Sequence, residues 1–245
     1  MTTDFGDKLI VALDAQTARE ALEIRARLGG EVTRLKVGSQ LFTAAGPEFV
    51  RELVRTGAQV FLDLKFHDIP NTVAAAAVEA ARMGVWMFNV HALGGGEMML
   101  RTRERVAEIV AREGLAHPKI IAVTVLTSAD AATLEGVGIK SEPLEQAVLL
   151  ASLAAECGLD GVVASPQEVR ALRSEIAREG FLIVTPGVHP AGAAYADQKR
   201  VMSPAEAVRA GADYLVVGRA ILNAKDPARA ASEIKEQMRA AVANA

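Results

Sequence analysis

The chain has 245 residues, 51% of them hydrophobic and 23% charged, with a formal net charge of −3. That is ordinary globular composition with ample length for a sizeable core, and its scattered basic residues offer no electrostatic footprint for nucleic acid. The one cysteine, Cys157, excludes an internal disulfide and a cysteine-built metal site, and no segment approaches the ~20 uninterrupted apolar residues of a membrane span.

A short apolar run over 9–13 ends at Asp14 and leads into an amphipathic helix over 17–28. The next run, 34–37, carries Lys36 and precedes a helix over 47–55. The third, 59–64, is nearly all apolar from Val60 to Leu64 apart from Asp63, and leads through Lys65 and Asp68 to a helix over 71–83. Runs at 87–91, 119–126, 161–164, 181–184 and 214–217 follow, ending near His91, Ser128, Pro186-Gly187 and Gly218-Arg219. Helical patterns at 97–113, 143–156, 166–179, 204–210 and 227–242 complete the series. Prolines 47, 143, 166, 204 and 227 stand where helices begin, where a missing N–H costs nothing, and glycines 57, 84, 114, 158, 180 and 211 follow helices. The N-terminus lacks a basic region followed by an apolar run, and Cys157 reads as a packing residue at a helix end, so the expectation is a cytoplasmic enzyme.

Eight strand-helix units at roughly thirty residues each approach the minimum for a βαβ crossover, and a closed (β/α)₈ TIM barrel of the α/β class is the economical solution. The expectation is one domain over 1–245, since no linker or low-complexity tract interrupts it. An open doubly wound sheet is the rival, but no Gly-x-Gly-x-x-Gly turn follows the first strand.

Barrel enzymes build their sites where strands end, so the polar residues at those ends are the candidates. Strand alternation puts Asp63 and Lys65 on one face, with Leu62, Leu64 and Phe66 on the other. A surface ion pair would explain such a spacing, but a charged pair on an otherwise apolar strand is expensive unless it is used. Asp14 and Ser128 also suit helix N-caps, and His91 also suits a hydrogen-bonded core position. Gly218-Arg219 and Pro186-Gly187 suit a phosphate site between the seventh and eighth loops, where backbone N–H groups and an arginine fork bind a phosphodianion. With no His-x-x-x-His and no cysteine pair, and with Lys65 between Asp63 and Asp68, no metal is expected; nor is there a nucleophile elbow.

Over nearly its whole length the chain resembles the orotidine 5′-phosphate decarboxylase family. The segments that carry the resemblance are Leu9-Ile-Val-Ala-Leu-Asp14, Leu35-Lys-Val-Gly38, Asp63-Leu-Lys-Phe-His-Asp-Ile-Pro-Asn-Thr72, Asn89-Val-His91, Val123-Thr-Val-Leu-Thr-Ser128, Thr185-Pro-Gly-Val-His-Pro190, Asp197-Gln198 and Val217-Gly-Arg219. Related sugar-phosphate barrels share Asp-x-Lys-x-x-Asp, so Ile69 to Thr72 and Asp197-Gln198 discriminate. The resemblance implies decarboxylation of orotidine 5′-monophosphate to UMP, the final step of de novo UMP synthesis, without metal or organic cofactor. It implies an alternating network of Lys36, Asp63, Lys65 and Asp68, with Lys65 protonating C6. It also implies a homodimer in which Asp68 and Thr72 reach the neighbouring subunit's site. Asp14 and Lys36 would hold the ribose, and Ser128 would read the pyrimidine. Gln198, Arg219 and the backbone at Gly187 and Gly218 would grip the phosphate, with Pro186 shaping the loop. His189 stands where many bacterial relatives carry arginine, and 187–199 would form a lid. The alternatives are a magnesium-dependent sugar-phosphate decarboxylase or synthase barrel and a non-catalytic nucleotide-binding protein.

Overall fold

The computed structural model describes residues 8–30, 32–188 and 202–243. Eight parallel strands close on themselves: β1 (Leu9–Ala12), β2 (Arg34–Gly38), β3 (Gln59–Phe66), β4 (Met87–His91), β5 (Lys119–Val123), β6 (Gly161–Val163), β7 (Leu182–Thr185) and β8 (Tyr214–Val217). Each pairs with the next, and β8 returns to β1 through Leu9–Leu215, Ile10–Val216 and Val11–Val217, so the chain is a (β/α)₈ TIM barrel. The helices around it are α1 (Ala18–Leu28), α2 (Ser39–Arg55), α3 (Pro70–Arg82), α4 (Gly95–Glu113), α5 (Ala131–Gly136), α6 (Pro143–Glu156), α7 (Val169–Glu175), α8 (Pro204–Ala210), α9 (Arg219–Leu222) and α10 (Pro227–Ala243). No helix among the described residues is long and apolar enough to cross a membrane.

Alternation along the strands builds two apolar layers. Ile10, Ala12, Phe61, Met87, Ile121, Val184 and Val216 form an interior cluster inside the barrel. Their neighbours, among them Leu9, Val11, Leu35, Val37, Val60, Leu62 and Phe88, face outward and pack beneath the helices. Gly161 leaves no room for a side chain between β6 and β7: a Cβ there would stand 2.2 Å from the Leu182 carbonyl oxygen. At the floor, where β2, β4 and β8 begin, the Arg34 guanidinium carbon lies 5.2 Å from the Trp86 ring centroid and 5.7 Å from that of Tyr214. The two rings meet edge to face at 5.1 Å, closing the end opposite the strand C-termini.

Some boundaries differ from the sequence reading, each for a local reason. The helix expected at Pro47 is preceded by a shorter one, and Gly46, at φ 72°, breaks α2 so that Pro47 opens its second segment. The helix expected from Pro166 begins at Val169, because Glu168 folds back to accept the Ser165 N–H at 2.8 Å and makes Pro166 part of a turn. β5 ends at Val123, since Thr124 bonds through both its N–H and its hydroxyl to the Val163 carbonyl, after which the chain turns away. α5 and α9 were not anticipated, being too short to display a helical period.

Candidate active site

The strand C-termini gather one row of charged side chains. Lys36 Nζ on β2 lies 3.5 Å from Asp14 Oδ1, just beyond β1, and 3.5 Å from Asp63 Oδ2 on β3. Lys65 Nζ lies 2.7 Å from Asp63 Oδ1. The Lys36 and Asp63 side chains are only 13% and 14% exposed, so these charges interact with little water between them. Burial pushes the Asp63 carboxyl upward, but the Lys36 and Lys65 charges, with hydrogen bonds from Lys65 and Asn89, outweigh it and hold the group below its usual range.

Asp63 and Lys65 share a face, as alternation predicts, by a less regular route. Between Leu62–Phe88 and Phe66–Val90 the β3–β4 register slips, and Lys65 adopts φ 53°. It is the only non-glycine residue with positive φ among the described residues, a conformation costing about 1–3 kcal/mol that clusters at functional sites. Asn89, fully buried on β4, meets this bulge: its Oδ1 accepts the Lys65 N–H at 2.8 Å and its Nδ2 donates to Asp63 Oδ1 at 2.7 Å.

Two hollows adjoin the row and share Lys36, Asp63 and Lys65. One, of ≈ 180 Å³, is bounded by Asp14, Gly38 and Ser39; the other, of ≈ 170 Å³, is bounded by Phe61, Val125, Leu126, Thr127 and Pro186. A polar recess and an apolar recess therefore meet at the ammonium groups. Gly218 overhangs Asp14, since a Cβ there would stand 2.9 Å from Asp14 Oδ2. Arg219, the first residue of α9, borders with Asp14 a further depression of ≈ 260 Å³, and Gly187 follows β7 at φ 74°.

Other candidates stand apart from the row. Ser128 is exposed on the turn after β5, while Leu126 and Thr127 line the apolar recess. Asp68 and Thr72 are exposed at the start of α3, where Asp68 Oδ1 accepts the Ile69 N–H at 2.6 Å. Gln198, His189, Asp197 and most of the 187–199 stretch lie outside the described residues. His91 stacks on His67 with ring centroids 5.4 Å apart, and burial, His67 and Lys65 together lower its pKa to about 4, so it is neutral at neutral pH. Among the described residues, no three or more His, Cys, Asp or Glu side chains are grouped to hold a metal ion. The sequence motif that contains Asn89 assigns it no role; its signal there is an amide, depleted in strands, between Phe88 and Val90.

The family model described as Orotidine 5'-phosphate decarboxylase / HUMPS family matches residues 7–234. The orotidine 5′-phosphate decarboxylase of Geobacter sulfurreducens is 54% identical over 234 residues, covering 96% of this chain and 97% of that protein. That of Pseudoalteromonas atlantica is 51% identical over 227 residues, covering 93% and 96%. Among solved structures, the orotidine 5′-phosphate decarboxylase of Lactobacillus acidophilus superposes with a TM-score of 0.83 at 37% identity, covering 94% of this chain and 98% of that one. The Pyrococcus horikoshii enzyme of the same name gives 0.74 at 28% identity, covering 94% and 99%.

Proposed function

Since the chain belongs to the orotidine 5′-phosphate decarboxylase / HUMPS family, we propose a residue-level account of how its barrel converts orotidine 5′-monophosphate to UMP and carbon dioxide. The activity is that of a carboxy-lyase of pyrimidine biosynthesis, and relatives half identical over nearly the full chain carry the name orotidine 5′-phosphate decarboxylase. The observation that carries the account is the Lys36–Asp63–Lys65 row at the junction of the two recesses.

Heterolysis of the bond from C6 to the carboxylate releases carbon dioxide and leaves an electron pair on a vinylic carbon that no adjacent carbonyl delocalises well. A preorganised cation is therefore the effective stabiliser. Lys65, held through its backbone by Asn89 and through its ammonium by Asp63, supplies that cation and then the proton that C6 takes up. Asp63, kept ionised by its two lysines, stands beside the substrate carboxylate and is relieved when that charge departs. No metal or organic cofactor enters this scheme.

The pyrimidine occupies the apolar recess, with Ser128 reading its edge from the rim. The polar recess takes the ribose, through Asp14 and Lys36. Arg219, Gln198 and the backbone at Gly187 and Gly218 hold the phosphate. Asp68 and Thr72 serve the site of a second copy: both are exposed, and the Asp68 carboxylate accepts the Ile69 N–H within its own loop, next to an Ile69 side chain that is 66% exposed. The working unit is thus a homodimer, of one domain per subunit, in the cytoplasm.

Loss of orotidylate absorbance with EDTA present, for wild type beside Lys65→Ala, tests the account. The wild type turns over, while the variant loses at least about 10⁴-fold in kcat and still binds UMP. A variant within tenfold of wild type removes Lys65 as proton donor, and loss of wild-type activity on chelation restores the magnesium-dependent alternative.

A further inference from the structure

We propose that Asn89 is a positioning residue for the decarboxylation, one buried carboxamide that fixes both the Asp63 carboxylate and the left-handed backbone of Lys65. The inference rests on the decarboxylase reading. Four residue steps of β3, from Leu62 to Phe66, stand against two of β4, from Phe88 to Val90, so the charged pair is borne on a bulge rather than a regular strand. A bulge leaves a backbone donor without its ladder partner, and here that donor is the Lys65 N–H, taken by Asn89 Oδ1 at 2.8 Å. The other end of the amide donates to Asp63 Oδ1 at 2.7 Å, and the same oxygen receives Lys65 Nζ at 2.7 Å.

These contacts close a ring through the Lys65 backbone, the Lys65 ammonium, the Asp63 carboxylate and the Asn89 amide. Its orientation is determined by chemistry: a backbone N–H can only donate and an ionised carboxylate can only accept, so Oδ1 must face Lys65 and Nδ2 must face Asp63. Asn89 is fully buried, with the apolar Ile121 as its ladder partner on β5, and a buried amide in such a setting needs the two bonds it makes here. The ring therefore aims the ammonium that protonates C6, with Asn89 acting through Lys65 and Asp63.

Asn89→Ala and Asn89→Asp separate positioning from mere support. Displacing a reacting group by about 1 Å costs on the order of 100-fold in rate, so Asn89→Ala is expected to lose about that factor in kcat while its UMP affinity stays within about threefold. In Asn89→Asp the new carboxylate still accepts from Lys65, but it can donate to Asp63 only while the two carboxyl groups share a proton. The charged and titratable groups around the pair are Lys36 from β2, Asp63 and Lys65 from β3, and His91 on β4 itself, with His67 stacked beyond it. The kcat of Asn89→Asp relative to wild type should therefore rise on acidification from about pH 8 to about pH 5.5, a trend that a packing role would not produce. If Asn89→Ala fails to fold, the Asn89→Asp profile decides. A kcat within threefold of wild type, a fall in kcat matched by the fall in UMP affinity, or a flat Asn89→Asp ratio overturns the proposal. An inert wild type in the same assay would instead sink the decarboxylase reading.

Discussion

Replacing Lys36 with methionine removes one of the two cations that keep Asp63 ionised and keeps most of the side-chain volume. At 3.5 Å, and with an effective dielectric of about 20 for charges so little exposed, the Lys36–Asp63 attraction amounts to about 5 kcal/mol. Relief from desolvating the ammonium offsets part of this, so the expected loss of stability near pH 7 is about 2–4 kcal/mol, much of it the cost of an under-compensated carboxylate. The pH dependence follows from the sign of the Asp63 shift. In the wild type its pKa lies below the ordinary 3.8, so its contribution is present above that value and is lost only as pH falls through the lower, folded one. Without Lys36 the burial effect, which acts upward, faces weaker opposition; the folded pKa rises, and taking up a proton then favours the folded state. Urea unfolding at fixed protein concentration should show the gap to wild type narrowing from about pH 7 to about pH 4.5. Adding Asp63→Asn should recover about half of the loss. A Lys36→Met protein within about 0.5 kcal/mol of wild type, or a gap independent of pH, refutes the reasoning.

His91, with a folded pKa of about 4 against an ordinary 6.5, leaves more protons on the unfolded chain between those values, so stability falls as pH drops through that window. Allowing for its partial exposure, His91→Gln should flatten the slope by about 1–2 kcal/mol across the window, and an unchanged slope in unfolding free energy rejects this. Gly161→Ala sets a Cβ 2.2 Å from the Leu182 carbonyl oxygen, an obstacle that cannot rotate aside, and should cost about 3 kcal/mol; an unaltered melting temperature contradicts it. Lys65→Ala and Asp68→Ala, each inactive alone, should recover about a quarter of wild-type activity when their subunits are mixed and reassorted, because one site in two is intact in half of the dimers. No recovery removes Asp68 from the neighbouring site.

All eight strands and most helices were legible because a buried parallel strand must be apolar and its flanking breaks are chemically marked, as at Pro143, Pro204 and Gly211. The charged row was legible for the converse reason: Asp63 and Lys65 interrupt a buried strand that has no structural use for them. Illegible features depend on contacts between distant segments. The bulge at Lys65 is made by pairing with β4, and the role of Asn89 arises only once that pairing brings it against the bulge, 24 residues along the chain. Likewise α9 is a consequence of the chain leaving β8 at Gly218, with no apolar period of its own to announce it.

The floor of the barrel supplies a spectroscopic consequence. Trp86 is the chain's sole tryptophan, and it is wedged with Arg34 and Tyr214 at the end away from the charged row. Its emission therefore samples the base of the cylinder, where an occupied mouth should leave the indole surroundings undisturbed, whereas opening of the cylinder floods them with water. An inactive variant with native emission has lost its chemistry, and one with red-shifted emission has lost its barrel.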